Sequence, residues 1–150
     1  MRKLIYLFDR SVISFLRRFN NILARLSLFI VYFWFGALKV FSYSAATPLV
    51  EALQKFTLPF IEFGTFIVLF GLWEMLIGLV FLKPGLERVA IFLMAIHMAM
   101  TALPLVLLPD ATWSGFLVPT LEGQYIIKNV ILVVLAFTIA ARLTPLRGGR

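Results

Sequence analysis

Two residues of this sequence carry chemistry where apolar side chains surround them. Glu74 lies in "GLWEMLIGLV" (71–80) and His97 in "VAIFLMAIHMAM" (89–100). A carboxylate beside an imidazole can hold or pass a proton, or grip a polar ligand. The same pair can equally be a structural hydrogen bond between helices, which contributes about 0.6–2 kcal/mol in a membrane. Trp73 and Trp34 lie mid-run; packing is one reading for them, and walling a pocket for a flat-ring ligand such as a quinone is the other. Met75, Met94, Met98 and Met100 read as packing filler. The absence of cysteine and the single histidine exclude a thiol relay, a Cys zinc site, Fe–S ligation and a bis-His haem within one subunit. No metal site is expected.

What must position Glu74 and His97 follows from hydropathy. The chain is 62% hydrophobic and 14% charged, where a soluble domain averages about 45–50% and 25%. Four apolar runs reach the roughly 20 residues that a helix needs to cross a bilayer: about 22–43, 63–82, 89–108 and 124–141. They are continuous rather than alternating, so they are helices, and the fold class is an all-α integral-membrane four-helix bundle. The second and third runs are joined by "KPGLER" (83–88), where Pro84 and Gly85 force a turn. Across that hairpin position 74 faces position 97, each about 12 Å from the turn at 1.5 Å per residue. Gly64, Gly71 and Gly78 recur every seven residues and form a stripe for close helix approach. Glu74 falls on that stripe and so faces protein; an ionised carboxylate facing lipid would be costly.

The remaining segments divide by amphipathicity. Residues 1–21 form a separate amphipathic helix in the membrane interface, with Arg10, Ser14, Arg17, Arg18 and Asn21 on one face and Leu4, Leu7, Phe8, Phe15, Leu16 and Phe19 largely on the other. They are not a secretory signal, because Asp9 and Arg10 interrupt the apolar run. The membrane domain is 22–150. Thr47 and Pro48 open a short surface helix between spans one and two, with Glu51, Gln54 and Lys55 on its wet face. The 109–123 loop folds back on the bundle mouth, with Trp113 at headgroup level. Lys39 and Lys128 lie near the ends of spans one and four, long enough to snorkel outward toward Glu51, Glu62, Asp110 or Glu122.

Charge sets the orientation. The N-terminal segment with Arg25, the 83–88 turn and the tail (Arg142, Arg147, Arg150) hold most of the basic residues. The positive-inside rule places both termini on the cytoplasmic side of an inner membrane. The net charge of +7 thus matches topology and anionic lipid, and nucleic acid is not expected as a partner.

The segments "RLSLFIVYFWFGALKVFSYSAATPLVE" (25–51), "GLWEMLIGLVFL" (71–82), "TALPLVLLPDATW" (101–113) and "EGQYIIKNVILV" (122–133) resemble the DoxX-like superfamily, in its YkgB-type branch. The likeness rests on Arg25, Trp34, Gly36, Lys39, the Glu74-Ile77-Gly78-Leu79 pattern and Lys128 followed by a polar residue. Many relatives carry Lys-Asp at that last spot; this chain has Lys128-Asn129. The resemblance implies a four-helix membrane bundle and, for some members, a subunit of a quinone-linked oxidoreductase.

Three readings follow. One is a small membrane subunit, non-catalytic alone, that packs with other membrane subunits or with copies of itself. The second is a quinone-interacting component of a membrane oxidoreductase, with Glu74, His97, Trp73 and Trp34 as the quinone pocket. The third is a small-solute or proton transporter, for which four short helices leave little room.

Overall fold

The computed structural model describes residues 2–145; Arg147 and Arg150 of the basic tail lie outside them. Four helices are long and apolar enough to cross a membrane: Arg2–Val40, Phe63–Leu82, Glu87–Leu107 and Leu121–Ala140. Helix α1 (Arg2–Val40) is one unbroken element. The expected boundary at residue 21 is therefore absent, because no glycine or proline occurs before Gly36 to break it. A short helix α2 (Thr47–Thr57) follows, then α3 (Phe63–Leu82) and α4 (Glu87–Ala102). Pro104 interrupts the third span and restarts it as the one-turn α5 (Pro104–Leu107). The turn α6 (Pro109–Thr112), a two-stranded ribbon of β1 (Trp113–Gly115) and β2 (Val118–Pro119), and α7 (Leu121–Lys128) lead to α8 (Val130–Ala140). The ribbon is the one departure from an all-α chain among the described residues.

The long helices form a ring. α1 packs on α3 and α8, and α4 packs on α3 and α8. The core between them holds Ala24, Leu28 and Tyr32 of α1, Ile77 and Phe81 of α3, Ala90 and Met94 of α4, and Ala136 and Ile139 of α8. Met94 lies in this core, Met98 packs against it, and Met75 fills space beside Gly36. These three methionines thus pack as filler. Of the expected glycine stripe, Gly71 and Gly78 meet α1, but Gly64 is exposed near the start of α3, beside only its own capping residue.

Two connectors differ from expectation in a physically informative way. Thr47 does not cap α2; it is already inside the helix, behind Ala46, and its hydroxyl donates to Ser44 O at 2.8 Å. Gln54 leaves the wet face and is buried, its Nε2 donating to Leu58 O at 2.6 Å and Ile61 O at 2.7 Å, which satisfies the turn into α3. The 109–123 segment does fold back: Trp113 Nε1 donates to Leu105 O at 2.9 Å.

Glu62 caps α3. Its carboxylate accepts from Gly64 N at 2.8 Å, Thr65 N at 2.7 Å and Thr65 Oγ1 at 2.9 Å. The Thr65 amide foremost, then the Gly64 amide and the Thr65 hydroxyl, hold this carboxyl below the ordinary 4.5. A lowered native value means that the cap's contribution is complete above the ordinary carboxylate range and fades as pH falls through the lowered value. The Gly64 and Thr65 amide shifts should therefore titrate together below pH 4.5 in the wild type and stay flat in Glu62→Gln, as read by NMR.

Candidate functional site: a buried Lys-Glu-His network

α3 brings Glu74 to the centre of the ring, and the Pro84–Gly85 turn sends α4 back beside it. His97 Nε2 lies 2.9 Å from Glu74 Oε1, with both side chains buried. The register argued from the hairpin holds.

A third member arrives from α1. Lys39 Nζ donates to Glu74 Oε2 at 2.6 Å, with only 7% of either side chain exposed. Lys39 therefore does not snorkel. The reason is the direction in which helix side chains lean, toward their own N-terminus. For α1 that is back into the bundle, toward the end that carries Arg25. For the antiparallel α3 it is toward the opposite end, so Lys39 and Glu74 lean toward each other. In α7 the N-terminal direction runs outward, and Lys128 is exposed, over the Tyr125 ring at 5.4 Å. The same rule thus gives the two lysines opposite fates.

The network has a defined polarity. Glu74 Oε2 accepts from Lys39 Nζ, and Oε1 accepts from His97 in the tautomer that carries its proton on Nε2. His97 Nδ1 is then the acceptor nitrogen. Thr101 Oγ1 lies 3.4 Å from it while donating to His97 O at 2.8 Å. Aromatic rings enclose the imidazole: Phe70 stacks on it at 5.1 Å between centroids, and Tyr32 and Trp73 meet it edge-on at 5.3 and 6.3 Å. Lys39 Nζ sits 5.7 Å from the Phe70 centroid. Two polar atoms in this shell, Tyr32 Oη and Trp73 Nε1, are buried without a hydrogen-bond partner.

Trp34 is elsewhere. It is 65% exposed on the outer face of α1, where it cannot wall a site built around His97. Mid-run position located it in depth but not around the helix axis.

A second ion pair closes the end of the bundle nearest the α3–α4 turn. Arg25 Nη1 donates to Phe81 O at 3.3 Å, in the last turn of α3, and Nη2 pairs with Glu87 at the first residue of α4. Cation and anion each sit at the helix terminus whose dipole favours them. Glu87 was missed as a partner, although its place in "KPGLER" next to a basic span entry was a signal for it.

Two shallow surface recesses lie away from His97. One, about 310 Å³, is lined by Val130, Ile131, Val134, Leu135 and Thr138. The other, about 390 Å³, is lined by Asn21, Ile22, Arg25, Leu26, Leu82 and Pro84. Among the described residues no group of three or more His, Asp or Glu side chains could hold a metal.

No family model, curated protein or solved structure matches the chain. The likeness to the DoxX-like superfamily thus rests on the quoted residues alone.

Proposed function

We infer that this chain is a multi-pass subunit of a cytoplasmic-type membrane, without catalysis of its own, that packs against other membrane chains or copies of itself. The observation that carries this reading is the mutual pairing of the buried polar groups. Lys39, Glu74 and His97 satisfy one another among buried side chains, while the helices present bare apolar surface outward, including Leu26, Ile30 and Trp34 on α1. Arg25, Lys83, Arg88 and Arg142 gather at one end of the helices, which supports cytoplasmic termini. The DoxX-like resemblance points the same way.

One observation favours a second reading. Tyr32 Oη and Trp73 Nε1 lack partners beside the His97 ring, and a lipid-soluble carbonyl compound such as a quinone would supply an acceptor there, with Glu74 and His97 holding its proton. Trp34 takes no part in this version.

The test is purification in mild detergent followed by mass analysis of everything retained. The subunit reading expects a stoichiometric protein partner or a self-complex. A monomer retaining a stoichiometric quinone would favour the second reading instead. A monomer retaining neither overturns both.

A further inference from the structure

Helix α1 is far longer than a bilayer requires. At 1.5 Å per residue its 39 residues span about 58 Å, against a hydrocarbon core of about 30 Å. Arg25 fixes the level at which the bundle ends, because it is tied to the last turn of α3 and the first of α4. Residues 2–21 run on about 30 Å past that level, and residues 2–18 are exposed throughout. Such an arm cannot fold onto the bilayer without a break, and the helix has none.

Its sequence is ordered around the axis. Ile5, Phe8, Val12, Phe15, Phe19 and Ile22, ending at Leu26, alternate steps of three and four over three heptads. That seam contains no charge. Phe8 is 72% exposed and Phe15 54%. The position farthest from the seam repeats every seven residues as Lys3, Arg10 and Arg17, and then becomes Ala24, where α1 enters its own core. The seam therefore faces away from the bundle and stays open in the folded chain. A stripe with a 3.5-residue repeat drifts about 20° per heptad on a straight helix, and beyond Leu26 it turns toward α3, where Phe29 and Phe33 pack over Gly78.

We propose that the arms of two copies pair in parallel through this Ile5–Leu26 seam as a short left-handed coiled coil. This rests on the subunit reading and names its surface. Three features select a second copy as the occupant. A 3–4 apolar repeat is the shape that another helix with the same repeat interlocks with. Two copies inserted in one membrane with the same topology present their arms parallel and at equal height. In that arrangement the flanking positions place Leu4 beside Asp9 and Arg18 beside Leu23 of the other arm, so no like charges meet across the seam. The basic ridge lies on the outside of the pair, in solvent.

The chain has no cysteine, so a lone introduced thiol reports on its twin. Full-length Phe8→Cys and Phe15→Cys, in detergent and in vesicles of neutral and anionic phospholipid, should give about tenfold more disulfide-linked dimer on mild oxidation than Arg10→Cys or Arg17→Cys. Only seam positions bring two Cα atoms within the roughly 4.4–6.8 Å that a disulfide needs. All four positions are exposed in the single chain, and helicity by circular dichroism checks that each variant folds. Equal yield on both faces, or no dimer from the seam thiols in either medium, overturns the coiled coil. If a different membrane protein is retained in those same samples while the seam stays unlinked, the subunit reading survives and this pairing does not.

Discussion

Replacing Glu74 alone with leucine should lower the stability of the folded chain by about 3–5 kcal/mol, the usual cost of stranding one partner of a buried ion pair. The loss is large because Lys39 has nowhere else to go. Its ammonium is buried, its partner oxygen is 2.6 Å away, and its other near neighbour is the face of Phe70. His97 Nε2–H loses its acceptor in the same change. Removing both charges while keeping an oxygen for the imidazole, as in Lys39→Met/Glu74→Gln, should return the protein to within about 1–2 kcal/mol of wild type, because neutral replacement of a buried pair also removes its desolvation cost. His97→Leu should cost less than Glu74→Leu, since the Lys39–Glu74 pair survives and only a hydrogen bond of about 0.6–2 kcal/mol is lost. Unfolding free energies of the four proteins in one detergent decide the matter. If Glu74→Leu costs no more than His97→Leu, Lys39 is not held by Glu74 and the network is only a pair.

That ordering also marks how far the sequence could be read. The Glu74–His97 contact was legible because the 83–88 turn is short. A six-residue connector between two apolar runs leaves little freedom of register, so equal distance from the turn becomes equal depth. Lys39 was misread although its depth was right. Distance from the helix end suggests an outward escape, but the lean of a helical side chain depends on which way the helix runs, and α1 runs outward. Trp34 and Gly64 failed for a different reason. Each was located along its helix, but which way it faces is decided by neighbours packed from other elements. Gln54 reads as wet because it shares a helix face with Glu51 and Lys55, while the backbone carbonyls of Leu58 and Ile61 needed donors. The continuity of residues 2–21 with the first span was available from the lack of any helix breaker.

Gly36 and Gly71 set the distance across which Lys39 reaches, so Gly36→Ala tests the same network from the backbone. A Cβ at residue 36 would stand 2.5 Å from Gly71 O and 2.8 Å from Met75 N, and one at residue 71 would stand 2.7 Å from Gly36 O. These are backbone atoms of a facing helix and cannot swing aside as a side chain can. The single methyl must therefore push α1 and α3 apart, which costs about 1–3 kcal/mol as overpacking. It costs more if the separation stretches the Lys39–Glu74 bond, only three residues farther along each helix. The two effects separate in a double-mutant cycle. In the Lys39→Met/Glu74→Gln background, Gly36→Ala should cost less than in the wild type, and the difference is the part of the methyl's effect transmitted through the ion pair. Gly115→Ala is the control, because a Cβ there meets only Val118 side-chain atoms at 3.8 Å and should change stability by no more than about 0.5 kcal/mol. A cost for Gly36→Ala that is equal in both backgrounds would mean that helix spacing and the buried pair are independent; a cost no larger than that of Gly115→Ala would mean that α1 and α3 do not approach at these glycines at all.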